Sequence, residues 1–397
     1  MPRYPRANPR GGGSLSFLRG IRVVEACYGR AGPLATQLLA DYAAEIIRVD
    51  APAAERDAGD LVRLRGRRSI ALDLDREEGR ALLLELATRS DVLIEEPRTD
   101  GRSPTGVTYE RLAALNPRLV YCRISAYGDH GPLAGSWQHD HLAAARYGVY
   151  NQAGWREGPT YVHPPIPSLA AAFLAVQAIG VALYQRERTG KGQEVSTSLL
   201  AGALAVQTGI VSAANDQPAA ATPVAGRSPF GAAPFYSIYE CADGRWLHFG
   251  CLTPQFQTKA TEAIALQAEL AELGFGTPAA ADNRTRIIER VAERMKERPY
   301  AEWAALFERL DVPHAPSQLT DDLFDDPQVR HEGLIVTIDD PRLGAMAQMG
   351  AAAVIEGEAW QTPRPAPAPG EHTDAICREL GLGAEAIARL RTAKVIA

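Results

Sequence analysis

The chain has 397 residues, 46% hydrophobic and 23% charged, an ordinary globular composition with length for two or three domains that bury their own cores. Lys plus Arg is 42 and Asp plus Glu is 48, a formal charge of -6, which argues against a dedicated nucleic-acid binder but allows local basic patches. Five scattered cysteines without a CxxC pair make neither a disulfide framework nor a zinc ribbon, so we expect a reducing, cytoplasmic setting and no metal.

Residues 1–15 are basic and rich in Pro and Gly, without the apolar segment of a secretory signal, and read as a disordered tail. IRVVEA (21–26) is a strand pattern. Gly29 and Gly32 then form a turn, and Pro33 suits a first helical turn before a helical period over 34–44. EIIRVD (45–50), 69–74, DVLIEE (91–96) and LVYCRIS (119–125) are further strands. They alternate with helices over 77–89 and 109–115. Such alternation predicts an α/β fold with a parallel, doubly wound sheet. Leu169 to Tyr184 is almost wholly apolar and Ala-rich. It is shorter than the roughly 20 residues of a membrane span and reads as a buried core helix, so no membrane partner is expected.

A polar turn (188–193) leads to a second apolar stretch over 199–214. Residues 216–229 read as a linker closing a large domain (16–215). A smaller α+β domain (230–325) opens with a hairpin over 234–252 turning at Asp243-Gly244, followed by helices over 256–272 and 284–310. Residues 326–397 carry a strand, a Pro-rich loop and a helix at 383–393, and are expected to return to the large domain.

Three clusters carry candidate chemistry. The strand–Gly29-x-x-Gly32–helix–strand–Asp50 unit imitates a dinucleotide fold, in which helix-start N–H groups hold a phosphate and an acidic side chain takes a ribose. Its spacing is not GxGxxG, so a plain tight turn competes with a nicotinamide site, which would make the chain a dehydrogenase. Arg63, Arg65, Arg67 and Arg68 crowd before the third strand, as a solvated loop or as a clamp on phosphate oxygens. His139-Asp140-His141, after the turn YGDHGP (127–132), is the densest titratable cluster and sits where general acid–base groups belong.

Together these segments resemble the family III CoA-transferases, which include formyl-CoA transferase and the 2-methylacyl-CoA racemases. The resemblance runs from Leu18 to Leu390 through 31–52, 67–95, 115–132, 187–200, CADGRW (241–246), PQF (254–256) and PGEHT (369–373). It implies a Rossmann-like large domain, a small domain, and two chains interlocked as a dimer. It also implies that coenzyme A, as co-substrate, moves between an acyl-CoA and a carboxylic acid. Arg30, Arg67, Arg68, Leu72 and Gly128 are the positions it implies for coenzyme A.

The departures bear on mechanism. The nucleophilic Asp of a P-I-A-D-L motif is Ser168 in Pro165-Ile166-Pro167-Ser168-Leu169. The racemase His is kept as His139. The second racemase carboxylate is Thr253, the Asn of E-N-F-R-P-G is Glu96, and the Gln before A-G-P is Arg30. A serine without a base cannot form the acyl anhydride. The resemblance implies that the loops carrying Asp140 and Ser168 both line the family's active site, so Asp140 is another candidate nucleophile, beside a Ser168 activated by His139 or His141 to form a seryl ester; His139 is the third catalytic candidate. Three activities fit within the resemblance: a transferase with a non-standard site, a racemase or isomerase relative using His139, and a non-catalytic subunit paired with a homologous Asp-bearing chain.

Overall fold

The computed structural model describes residues 13–14, 17–152, 160–207, 231–353, 358–359 and 363–397. The expected linker, most of the expected tail and residues 208–214 of the second apolar stretch lie outside these residues. Within the expected tail, Gly13–Ser14 pair in parallel with Glu358–Ala359.

Six parallel strands form the main sheet: β1 (Arg22–Cys27), β2 (Glu45–Asp50), β3 (Arg67–Ala71), β4 (Val92–Glu96), β5 (Val120–Ser125) and β6 (Glu194–Ser198). Their spatial order is β3-β2-β1-β4-β5-β6. The chain winds outward from β1 in one direction and from β4 in the other, so β1 and β4 flank the switch point where open α/β sheets bind ligands. Strands covered on both faces need near-continuous apolar runs, and Val23, Val24, Ala26, Val92, Leu93 and Ile94 are at most 1% exposed. Helices α1 (Ala31–Asp41), α2 (Glu77–Thr88), α3 (Tyr109–Leu115), α4 (Asp140–Arg146), α5 (Ile166–Thr189) and α6 (Leu199–Ala205) complete this part.

Helix α5 is longer than expected, 24 residues, and by length and composition could cross a membrane. Half of its most apolar window is nevertheless buried, with Ala171, Ala172, Ala175, Ile179 and Ala182 packed in one core cluster with β1, β4 and β5. It ends at Gly190, whose φ of 72° a side chain would strain. Ser198 then caps α6, accepting the Ala201 N–H at 3.0 Å. Strand β6 was missed because its E-V-S-T-S pattern has one apolar residue, Val195, as suits a sheet edge.

The chain divides into two compact units: residues 1–149, 162–219 and 328–397, and residues 150–161 and 220–327. The second unit holds an antiparallel sheet of β7 (Gly231–Ala233), β8 (Tyr236–Glu240), β9 (Trp246–Phe249) and β10 (His314–Ser317). Four helices accompany it: α7 (Pro254–Ala263), α8 (Gln267–Glu272), α9 (Arg284–Met295) and α10 (Tyr300–Leu310). The two long helices expected here are each broken. Ala265 adopts φ 53° between α7 and α8, and Pro299 stands before α10. Trp303, Phe307, Phe249 and Leu247 form this unit's core.

In the first unit the C-terminal residues contribute a hairpin, β11 (Ile335–Asp340) and β12 (Gly344–Met349), and helices α11 (Thr373–Glu379) and α12 (Ala384–Thr392). The final residues return to the main sheet, where Ile396 bridges Leu72.

Candidate active site

A cleft of about 380 Å3 opens at the switch point. The loop after β1 brings Tyr28, Gly29 and Arg30; the end of β4 brings Glu96; the start of α4 brings His139 and Asp140; the start of α5 brings Ser168. The three residues named as catalytic from sequence therefore line one cavity, together with Arg30.

Asp140 is 8% exposed. Its Oδ1 accepts the backbone N–H of Ser168 at 2.7 Å, and its Oδ2 is buried without a hydrogen-bond partner among the described residues. Ser168 is the third residue of α5, so the carboxylate meets one of the free N–H groups that open that helix. A carboxylate stands at the backbone of position 168 although its own residue is serine. His139 is exposed at the rim, its ring 6.0 Å from that of His141.

Glu96 is a functional candidate whose carboxyl the sequence reading passed over. It is 1% exposed. Its Oε2 accepts the Gly32 N–H at 2.9 Å, and its Oε1 meets Gln138 Nε2 only at 3.4 Å. The Gly29-x-x-Gly32 turn makes its seat, since a Cβ on Gly29 would lie 2.1 Å from Oε1. Burial pushes the carboxyl up to about 7, against the lowering pull of the Gly32, Gln138 and Ala31 hydrogen bonds, and the Glu25 charge adds to the rise. The signal for it was two consecutive carboxylates ending an apolar strand.

This seat overturns the dinucleotide reading of the turn. The helix-start N–H that a pyrophosphate would take is given to Glu96. Asp50, the expected ribose ligand, is held by Arg48 and Arg56 at 2.7 and 2.9 Å and by Ser69 at 2.6 Å.

The arginine cluster is mostly paired with internal carboxylates. Arg67 is 1% exposed, and its Nε lies 2.9 Å from Glu25 Oε2. Its Nη atoms reach Thr36 and the Arg63 and Pro33 carbonyls. Arg68 bridges Glu45 and Glu379, and Arg65 pairs with Asp41. Arg63 lines the cleft but sits 3.2 and 3.0 Å from Asp57 and Asp60. Neither Arg67 nor Arg68 borders the cleft. Arg30 does, and it is exposed with no ion-pair partner among the described residues. The Leu72 side chain lies in the core, and Gly128, at φ 102°, sits in the loop after β5 with its N–H on Ser125 Oγ; neither borders this cleft.

The family model described as CoA-transferase family III matches residues 18–373. Alpha-methylacyl-CoA racemase of Homo sapiens is 30% identical over 383 residues, covering 96% of this chain and 97% of that protein. Succinyl-CoA:glutarate CoA-transferase of Mus musculus is 28% identical over 382 residues, covering 92% and 87%. A solved CAIB/BAIF family protein from Brucella suis superposes with a TM-score of 0.78 at 27% identity, covering 93% of this chain and all of that one.

Proposed function

The chain belongs to CoA-transferase family III, and from that premise we propose that it moves coenzyme A from an acyl-CoA to a carboxylic acid, with Asp140 as the nucleophile. The observation that carries this reading is the Asp140 carboxylate in the lining of the cleft, held through Oδ1 by the Ser168 N–H and with a buried, unpartnered Oδ2. A buried carboxylate oxygen without a donor retains the electron density that water would otherwise engage.

Asp140 Oδ2 attacks the thioester carbonyl. A C–O bond forms, the C–S bond breaks, and coenzyme A leaves as its thiolate, giving a mixed anhydride. The thiolate then attacks Cγ of Asp140, releasing the first acid as its carboxylate and leaving an aspartyl thioester. The acceptor carboxylate repeats the two steps in reverse and departs as its CoA thioester. Arg30 supplies the cleft's uncommitted cation for an anionic group of the substrate.

Incubation with a panel of acyl-CoAs, proteolysis and mass spectrometry test this. An acyl or CoA adduct on Asp140, trappable by hydroxylamine, is expected. An adduct on Ser168, or none with any acyl-CoA, overturns it.

The exposed His139 favours a second reading, α-proton exchange of a 2-methylacyl-CoA. Deuterium incorporation at the α-carbon, lost in His139→Gln, is its test.

A further inference from the structure

We infer that Glu96 is a further catalytic residue of this cleft: it carries a proton on Oε1 and donates it, as a hydrogen bond, to the carbonyl oxygen of the bound acyl thioester. This rests on the transferase reading above and assigns to it the group that meets the developing oxyanion.

The two oxygens of Glu96 are held unequally. Oε2 is fixed by the Gly32 N–H at 2.9 Å. Oε1 meets the Gln138 amide at 3.4 Å, the outer limit of a hydrogen bond, and the Ala31 N–H adds a further hydrogen bond to the carboxyl. Oε1 is thus the oxygen with spare capacity. It lies against Gly29 in the cleft wall, and Gln138 ties it to the segment that carries Asp140.

No cation pairs with Glu96 among the described residues. Arg48, on the neighbouring β2, is committed to Glu25 and Asp50. The groups that face the Glu96 carboxyl are Glu25 and Cys27 from β1, Tyr28 and Arg30 from the following loop, and His139, Asp140 and His141 from α4. Glu25 is a carboxylate, and a second anion beside it is disfavoured. Burial acts in the same direction, and the acid form persists to about pH 7.

A buried carboxylic acid is a strong donor that needs no reorganisation when charge appears beside it. As Asp140 Oδ2 adds to the thioester carbon, negative charge grows on the carbonyl oxygen. The hydrogen bond from Glu96 strengthens at that moment and relaxes when the C–S bond breaks. No proton is transferred overall, so the acid is unchanged at the end of each half-reaction.

The test compares the full-length wild type with Glu96→Gln, which keeps a donor but cannot titrate, and Glu96→Ala. Wild-type turnover is expected to fall as pH rises through about 7. Glu96→Gln should lose that fall and stay within about tenfold of wild type at pH 6, while Glu96→Ala drops kcat by roughly 100- to 1,000-fold. A Glu96→Gln profile that coincides with wild type overturns the inference, as does Glu96→Gln inactive at every pH. Should Glu96→Ala fail to fold, Gly29→Ala places a methyl against Oε1 and is expected to lower kcat in the same way; unchanged kcat there counts against the role. A second readout stands apart from turnover. Infrared difference spectra should show a protonated-carboxyl band at pH 6 that is absent in Glu96→Gln and shifts on saturation with acetyl-CoA. A band that does not shift overturns the role of Glu96. Absence of any covalent adduct together with a shifted band overturns the transferase reading instead.

Discussion

The Ser168 N–H donates to Asp140 Oδ1 at 2.7 Å, so two segments 28 residues apart build one corner of the cleft. The helix start that carries the nucleophile in the family's P-I-A-D-L motif here presents its backbone, and the first residue of α4 presents the carboxyl. The negative end of the pair is stabilised by the N-terminal field of α5, a 24-residue helix.

Asp140→Asn keeps an oxygen for the Ser168 N–H and removes the nucleophile. It should leave the melting temperature nearly unchanged and lower kcat by roughly 1,000-fold or more, the scale of losing a nucleophile. Rates within about tenfold of wild type, measured with the acyl-CoA that gives the best adduct, would sink the assignment.

Arg67 is expected to act on stability rather than on ligand affinity. It and Glu25 form a buried pair at 2.9 Å. Burial alone would raise the Glu25 carboxyl, but Arg67, Arg48 and the Thr36 hydroxyl outweigh it and hold it below the usual range. Removing Arg67 leaves Glu25 with Arg48 and the Thr36 hydroxyl as its remaining partners, so Arg67→Ala should destabilise the protein by about 1–3 kcal/mol in urea unfolding. The depressed Glu25 carboxyl contributes stability above its unfolded value, near 4, and that contribution is lost as pH falls through the folded value. Arg30→Ala, by contrast, should weaken coenzyme A binding about three- to tenfold by calorimetry, the scale of about 1 kcal/mol for an exposed charge, without moving the unfolding midpoint.

Glu96 has the opposite sign. Its folded value is raised from 4.5 to about 7, so between those pH values the native chain binds more protons than the unfolded chain. Stability therefore declines as pH rises from 4.5 to 7, by about 3 kcal/mol for that shift. Glu96→Gln removes this decline. Its unfolding free energy should exceed that of wild type increasingly from pH 5 to pH 8, and parallel curves would reject the raised value.

The strand–helix alternation was legible because burial on both sheet faces demands apolar runs, and β1, β2, β4 and β5 each show one, while β3 shows only Ile70-Ala71. Edge strand β6 and the breaks at Ala265 and Pro299 were not, because each depends on local backbone geometry that periodicity averages out. In the site, Asp140, His139 and Ser168 were named from motif positions, and the fold brings all three to one cleft. Glu96 was not, because its role comes from the company it keeps: two glycines that open a seat and no cation to pair with. The pairing of the arginines was hidden for the complementary reason. Their carboxylate partners, Glu25, Asp41, Glu45 and Glu379, are distant in sequence and are brought together only by the fold.

The exposed side of α5 carries Leu169, Phe173, Val181 and Tyr184, between 39% and 66% exposed, at spacings that share one helix face. We propose that a second copy of the chain covers this stripe, in the interlocked pairing the family resemblance implies. Sedimentation equilibrium at micromolar concentration should give a dimer, and Phe173→Asp with Tyr184→Asp should give monomers that remain folded by circular dichroism. A wild-type monomer would reject the pairing.

Ser168→Asp asks whether the scaffold accepts its carboxylate at either address. The Ser168 N–H is already 2.7 Å from Asp140 Oδ1, so an introduced carboxylate on the same residue stands beside an existing one. Two unit charges about 4 Å apart at an effective dielectric of about 20 repel by about 4 kcal/mol, so the two carboxyls should share one proton at neutral pH. Stability relative to wild type should then fall as pH rises from 5 to 8. The single variant should divide its adduct between residues 140 and 168, since either oxygen can attack when its neighbour holds the proton. Adding Asp140→Asn removes the competition and leaves one ionised carboxylate at residue 168, still within reach of the side-chain amide introduced at position 140. That double variant should transfer coenzyme A with its adduct on residue 168 alone. If it folds, binds acetyl-CoA and forms no adduct, residue 168 is not an address from which this cleft can attack a thioester, and the carboxylate at position 140 is required for more than its charge.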